Sequence, residues 1–186
     1  MKNSPIVIVA GEPFSIFVEI FLKSIRKKKI KKKIILIISK DILTKQMKLL
    51  GFNLDINLID KNNFNLKDLN KEKINIIDIK FKFKKTFDKI SDKSNKYIEE
   101  SFKVALDIVK DRNYYGLING PISKKNFLKD KFSGITEYLA SQTNKKGKVS
   151  MLIYNKKLSV SPLTTHIPLK DVYKKITKQR IIEHIK

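Results

Sequence analysis

Two short aliphatic runs and a third strand-like segment alternate with two amphipathic segments near the start of this 186-residue chain. The runs, at residues 5–10 and 34–38, have the length and composition of buried strands, and residues 54–59 are predicted to form a third strand. Between them, apolar residues recur at helical spacing over residues 15–27 and 41–50. Such a β-α-β-α-β order implies parallel strands joined by right-handed crossovers. The sequence therefore predicts an α/β fold with a mostly parallel sheet and flanking helices.

The rest of the chain continues this pattern less regularly. Residues 60–75 are rich in Asn, Lys and Asp and predict a surface excursion, and strands are predicted at 74–79 and 80–84. Residues 94–111 carry the clearest helical stripe, and a strand follows at 114–119. Further predicted elements are helices from about Ser123 and near Thr136, a hairpin of residues 149–154 and 158–161, a loop at 164–168 and a helix over 169–186.

The formal net charge of +23 comes from 38 Lys and only 3 Arg. Arg is the residue favoured for bidentate contacts with phosphate and guanine, whereas Lys, Ile and Asn, all abundant here, share A/T-rich codons. We therefore interpret the charge mainly as genome composition and do not expect nucleic acid as a partner. The alternative is a basic nucleic-acid-binding module that uses Lys27–Lys33 and Lys80–Lys85, in which Phe81 and Phe83 either stack on bases or face a core.

Composition excludes several classes of protein. The chain has no cysteine, which rules out a disulfide scaffold, a thiol nucleophile and a sulfur-based zinc site. With only two histidines, His166 and His184, a self-contained His-rich metal site is not expected. No apolar run approaches the ~20 residues that span a bilayer, and no signal peptide is recognisable. We expect a cytoplasmic protein with no membrane partner.

Candidate ligand-binding residues lie where predicted strands end, because open parallel sheets bind ligands beyond the carboxyl ends of their strands. The segments in such positions are residues 11–13, 119–121 and 164–166. Lys124 follows the second segment, in the first turn of a predicted helix. A cation is unfavourable at that end of the helix dipole, so its presence there indicates a binding site for an anion. The alternative is that Lys124 is one more solvated lysine. His166, after two threonines, is either a metal ligand or a hydrogen-bonded structural histidine. No dinucleotide or Walker loop is present.

Four short segments occur in the order, and near the spacing, of one enzyme family. They are Val9–Ile16 with Glu19, Leu117–Lys124, Phe132–Glu137, and Leu163–Leu169 with Asp171 and Val172. On these segments the chain resembles the 4-hydroxythreonine-4-phosphate dehydrogenase family of pyridoxal phosphate (vitamin B6) biosynthesis, whose fold is related to the isocitrate and isopropylmalate dehydrogenases. The resemblance covers residues 1–186 but only the N-terminal half or so of the family's length. It implies an incomplete N-terminal portion, the substrate- and metal-side α/β domain.

The resemblance also implies an activity. NAD would accept a hydride from the secondary alcohol of 4-phosphohydroxy-L-threonine, and the resulting β-keto acid would lose CO2. A divalent metal, Zn, Mg or Co, would act as Lewis acid, and the enzyme would be a homodimer. By this resemblance His166 is the first of three metal-binding histidines and Thr136 contacts the substrate, with Lys124 as a further substrate-binding candidate.

Two departures from the family pattern limit that inference. Ile135 stands at the position of a family histidine and cannot form a hydrogen bond with its side chain, so a related sugar-acid phosphate dehydrogenase is an alternative. The other two metal histidines and most of the NAD site have no counterpart in the sequence, and one histidine cannot hold a catalytic metal. We therefore expect the chain to be inactive alone. A remnant retained only for dimerisation is a further alternative.

Overall fold

A computed structural model describes residues 4–27, 30, 32–110, 113–129, 131–147 and 149–185 of the chain. Part of the predicted basic run, Lys28, Lys29 and Lys31, lies outside the described residues, as do Asp111 and Lys186 at the ends of two predicted helices. The elements are, in chain order, β1 (Ile6–Val9), α1 (Phe17–Lys27), β2 (Ile34–Ile38), α2 (Lys40–Leu49), β3 (Ile56–Leu58), β4 (Ile74–Asp78), α3 (Asn95–Val109), β5 (Gly116–Asn119), α4 (Ile135–Gln142), α5 (Leu169–Lys175) and α6 (Lys178–Ile185).

The five strands form one parallel sheet in the order β3-β4-β2-β1-β5. Side chains alternate between the two faces of each strand. Ile8 and Ala10 therefore pack in one cluster with residues of α1 and α2, whereas Val7 and Val9 point to the opposite face and are fully buried. Helix α3 packs against β1, β2 and β5. The predicted α/β fold with a parallel sheet and flanking helices is confirmed.

The chain divides into two compact units, Met1–Phe127 and Leu128–Lys186. The first unit contains the sheet with α1, α2 and α3. The second contains α4, α5, α6 and a hairpin whose two sides meet at an antiparallel bridge between Ile153 and Val160. Within the described residues, no helix has both the length and the apolar character needed to cross a membrane.

The predicted strand at residues 80–84 is wrong, and the reason lies in the neighbouring strand. The last backbone hydrogen bond between β4 and β2 runs from Ile79 N to Ile38 O. After β2 the chain turns into α2, where Lys40 N donates a hydrogen bond to the Asp78 carboxylate. No strand is left beside residues 80–84 to pair with them. Phe81 instead packs its ring against Phe14 and Tyr97, at centroid distances of 5.7 and 5.1 Å.

Two predicted helices also differ from the structure. The helix predicted over residues 169–186 is two helices, because Ile176 is extended and the Thr177 hydroxyl accepts a bond from Arg180 N that begins α6. The helix predicted from about Ser123 is one π-helical turn, Lys124–Leu128. The dipole argument for Lys124 therefore loses its basis, since a single turn has little dipole to oppose.

Candidate functional site

The loops that follow β1 and β5 are in direct backbone contact at the carboxyl end of the sheet. Glu12 N donates to Pro121 O at 2.8 Å, and Gly120 N donates to Val9 O at 2.7 Å. Gly11 has φ +76°, and a Cβ there would lie 2.3 Å from Pro121 O. A Cβ on Gly120 would lie 2.1 Å from Ala10 O. Both positions thus require glycine, and the two loops form one rigid rim.

Glu12 places a buried carboxyl group in this rim. The residue is only 2% exposed, and its Oε2 lies 2.8 Å from Ser94 Oγ. Burial raises the pKa of Glu12, and the bonds from Ser94 and from the backbone N–H of Phe14 lower it by less. Glu12 Oε1 has no hydrogen-bond partner among the described residues. The sequence places Glu12 in the candidate ligand-binding segment of residues 11–13 but does not indicate that its carboxyl group is buried.

Hydrogen bonds connect this rim to the segment that carries Lys124. Ser94 lies directly before α3, and the next residue, Asn95, donates from Nδ2 to Asn126 O at 2.9 Å. Ser123 Oγ accepts from Asn126 N at 3.1 Å and so caps the turn that begins at Lys124. Lys124 itself is exposed. Its backbone is therefore held in place while its ammonium group is accessible to an anion.

The second unit contains a cleft of about 810 Å³. Thr136 and Thr165, the residue before His166, both line it, so two segments singled out by sequence meet in one cavity. Lys146 and Arg180 oppose Glu137 and Glu183 around it, which leaves the lining without net charge. The lining residues are Thr136, Glu137, Lys146, Gly147, Val149, Ser150, Met151, Pro162, Leu163, Thr165, Arg180, Glu183 and His184.

Ile135 and Thr136 form the first turn of α4. Thr136 is a possible helix cap by residue type, but the helix begins one residue earlier, at Ile135, and its N-cap is Gly134, in an extended conformation with φ −169°. Thr136 is thus the second helical residue, and it lines the cleft. Ile135 is half-buried beside it, and its side chain has no polar atom.

His166 occupies a strained backbone conformation in the loop before α5. Its φ of 55° lies in the left-handed region, which costs a residue other than glycine on the order of 1 kcal/mol or more. The imidazole is exposed. In the part of the chain that the structure describes, no three His, Cys, Asp or Glu side chains are grouped as a metal site would need. His166 alone does not fit a catalytic metal, which needs several protein ligands.

His184 is a member of this cleft that no motif in the sequence indicates. It is half-buried, with Nε2 2.7 Å from Ser161 Oγ and Nδ1 3.3 Å from Ser150 Oγ. The Ser161 hydroxyl donates its proton to Met151 O, so His184 Nε2 must be the donor to Ser161. Arg180 and His184 both line the cleft, one helical turn apart on α6.

The sequence of this chain was compared with protein families and with curated proteins. The family model of the pyridoxal phosphate biosynthetic protein PdxA matches residues 30–186. Two relatives are named 4-hydroxythreonine-4-phosphate dehydrogenase: the Sulfurihydrogenibium protein is 36% identical over 97% of this chain and 55% of its own length, and the Wigglesworthia glossinidia brevipalpis protein is 32% identical over 93% and 52%. The chain thus spans about half the length of the curated relatives it matches.

Solved structures give the same result for the fold. The 4-hydroxythreonine-4-phosphate dehydrogenase structure from Burkholderia phymatum superposes with a TM-score of 0.81 at 21% identity, over 98% of this chain and 56% of that one. The structure from Klebsiella pneumoniae gives 0.80 at 20% identity, over 98% and 57%. The fold is therefore the α/β architecture of these dehydrogenase structures, with its parallel sheet and flanking helices. By its match to the family model, the chain belongs to the PdxA family of pyridoxal phosphate biosynthetic proteins.

Proposed function

We propose that this chain forms part of an NAD-dependent, metal-requiring dehydrogenase that converts 4-phosphohydroxy-L-threonine during pyridoxal phosphate biosynthesis. The family match over residues 30–186 carries the proposal. The reaction would oxidise the secondary alcohol to a ketone and then lose CO2 from the resulting β-keto acid. We also propose a homodimer, a cytoplasmic location and kinship with the isocitrate and isopropylmalate dehydrogenases, all three on the resemblance of the motifs.

The cleft of the second unit supports a role in holding the substrate. Thr136 lines this cleft and carries a hydroxyl group that can hydrogen-bond a phosphate or carboxylate oxygen. Lys124, in the other unit, offers an accessible ammonium group that suits an anion. His166 would supply one metal ligand, and further protein groups would complete the metal site and the NAD site.

Substrate binding tests this assignment without requiring turnover. The purified chain is titrated with 4-phosphohydroxy-L-threonine, and the backbone amide signals are followed by NMR. We expect shifts around Thr136 and Thr165, and Thr136→Val should weaken binding at least about fivefold, because one hydrogen bond is lost. Thr44→Val, at an exposed threonine of α2, is the matched control. Unchanged affinity of Thr136→Val, or no shifts at millimolar ligand, would refute the proposed role of the cleft.

Ile135 supports a second candidate, a dehydrogenase acting on a related sugar-acid phosphate. A side chain without donor or acceptor cannot make the contact that the family histidine makes, so the preferred substrate would lack the matching polar group. The same titration with a phosphorylated sugar acid separates the two candidates. If phosphohydroxythreonine is the substrate, Ile135→His should tighten its binding. If the sugar acid binds more tightly to the unaltered chain, and Ile135→His reverses that order, the second candidate is favoured.

A further inference from the structure

A pocket of about 270 Å³ lies in the first unit, at the amino ends of the strands. Ile34 and Ile74, the first residues of β2 and β4, line it together with Ile25 of α1. It is therefore at the opposite end of the sheet from the rim that contains Glu12 and Gly120. We call it the basal pocket.

The floor of the basal pocket is apolar. Phe21 and Ile74 line it and are at most 8% exposed. Ile25, Ile34 and Leu54 also line it, and all three pack against the core cluster that α1 and α2 form with the sheet. The pocket is thus continuous with the hydrophobic core. A ligand with an apolar group would be stabilised here, because it would remove this apolar surface from water.

The rim of the basal pocket carries an excess of positive charge. The lysine-rich composition does not by itself produce such an excess, because the cleft of the second unit has a balanced lining, as does a cavity beside α3 with two lysines and two carboxylates. An unbalanced positive rim above an apolar floor suits an anion that carries an apolar group. One carboxylate, that of Glu72, lines the basal pocket with four cationic residues, Arg26, Lys32, Lys71 and Lys73.

Arg26 is the residue best suited to hold the anionic group. Its guanidinium carbon lies 4.8 Å from the centre of the Phe52 ring, so the guanidinium group packs over that ring. In the part of the chain that the structure describes, no ion pair or side-chain hydrogen bond occupies its N–H groups. A guanidinium group held in this way keeps its planar fork of donors in a fixed orientation, and that fork matches two oxygens of a phosphate.

Asn75 fixes the wall of the pocket that carries Lys71 and Lys73. Its Nδ2 donates to Ile34 O at 3.1 Å and to Asn70 O at 2.8 Å, and its Oδ1 accepts from Asn70 N at 2.7 Å. Asn70 Oδ1 in turn accepts from Lys73 N at 3.1 Å. The turn is therefore fastened to β2, and little backbone order has to be gained when a ligand binds.

We propose that the basal pocket binds a small phosphate monoester, with the apolar group on the floor and the phosphate bonded to Arg26. A phosphate monoester carries close to two negative charges at neutral pH, so it suits a rim with four cations better than a carboxylate does. The pocket is slightly smaller than the ~300 Å³ at which pockets for drug-sized ligands begin, which limits the ligand to about two aromatic rings. This inference goes beyond the proposed reaction, because phosphohydroxythreonine has no apolar group to cover the floor.

Calorimetric titration of the full chain with 1-naphthyl phosphate, at physiological salt, tests the proposal. We expect 1:1 binding, with NMR amide shifts centred on residues 71–75, Ile25 and Ile34. Inorganic phosphate supplies only the charge and 1-naphthol only the apolar group, so each should bind at least about tenfold more weakly. Arg26→Gln should weaken binding at least about tenfold, because a charge-assisted hydrogen bond is lost. Arg26→Lys keeps the charge without the fork and should also weaken binding.

Lys27→Gln is the matched control. It removes one positive charge from the adjacent exposed position of α1, which is not among the described residues that line the pocket, and it should leave the affinity unchanged. Circular dichroism verifies that the variants fold. The proposal is overturned if 1-naphthyl phosphate does not bind at millimolar concentration, or if Arg26→Gln or Arg26→Lys binds it as tightly as the unaltered chain.

Two further outcomes would also overturn the proposal. Equal affinity for inorganic phosphate or for 1-naphthol would mean that charge alone or apolar contact alone determines binding. Amide shifts spread over lysines outside the basal pocket would indicate generic attraction to a basic chain. None of these measurements uses phosphohydroxythreonine or turnover, so a failure of the proposed reaction would leave their outcome unaffected.

Discussion

At the residue scale, the hydrogen bonds around Glu12 indicate which form of its carboxyl group the fold prefers. The Ser94 hydroxyl has one proton but lies within bonding distance of two acceptors, Glu12 Oε2 at 2.8 Å and Ser91 O at 2.9 Å. An ionised Glu12 competes with Ser91 for that proton. A protonated Glu12 donates to Ser94 Oγ, which leaves the Ser94 proton for Ser91 O. The geometry and the raised pKa of Glu12 therefore agree.

This preference has a consequence for stability at different pH values. Because the pKa of Glu12 is raised above 4.5 in the folded chain, the folded state binds this proton more tightly than the unfolded state. Its contribution to stability is fully present below about pH 4.5 and is lost as the pH rises through the folded-state pKa. Glu12→Gln imitates the protonated form, so its free energy of unfolding should fall less between pH 4.5 and 8 than that of the unaltered chain.

Urea denaturation at several pH values measures this difference. The contributions of the other carboxyl groups to the pH dependence cancel, because both chains contain them. Glu99→Gln, which removes an exposed carboxyl group of α3, serves as the comparison. The protonated assignment of Glu12 is wrong if Glu12→Gln shows the same pH dependence as the unaltered chain.

At the scale of elements, the approach of β5 to β1 depends on a glycine with no room for a side chain. In Gly120→Ala the new Cβ would lie 2.1 Å from Ala10 O and 2.8 Å from the Phe17 ring. The first neighbour is backbone and cannot rotate away. We expect a loss of about 1–3 kcal/mol or more in the free energy of unfolding, measured by urea denaturation.

Gly116→Ala provides a sensitive control for that prediction. Gly116 lies on β5 four residues earlier, and its Cβ would meet nothing within 4 Å. Its stability should stay within about 0.5 kcal/mol of the unaltered chain. Equal effects of the two substitutions would show that lost glycine flexibility, rather than the contact between the loops, determines the result.

Secondary-structure elements could be predicted from the sequence where their pattern is local. The prediction failed where a neighbouring segment determines whether the element forms. The apolar runs that became β1, β2 and β4 are buried strands because Val, Ile and Leu at those positions suit only a covered sheet. Residues 80–84 have the period-two pattern of a strand, yet Ser39 and Lys40 turn the adjacent chain into a helix before it can pair with them. The break at Ile176 depends on one capping bond to Thr177, which periodicity does not reveal.

At the scale of the whole molecule, the same distinction holds for the candidate site. Thr136 and the loop of His166 could be found because short motifs carry them, and the structure brings Thr136 and Thr165 to one cleft. The role of His184 and the burial of Glu12, a member of the candidate segment 11–13, could not be found because each depends on partners far away in sequence: Ser150 and Ser161 for His184, and Ser94 for Glu12. No spacing rule links residues that only the folded chain brings together.

The two units differ sharply in how much core each contains. Of the 27 buried hydrophobic side chains among the described residues, 24 lie before Phe127, in the unit that holds the sheet. A chain that ends at Phe127 should therefore fold on its own and unfold cooperatively, with a midpoint within about 5 °C of that of the same transition in the full chain. Residues 128–186 expressed alone contain only three such side chains and should show no cooperative transition. Calorimetry of the two pieces decides the matter. A shortened chain without a cooperative transition would mean that the sheet needs the second unit to fold, and a cooperative second piece would mean that its helices form a core of their own.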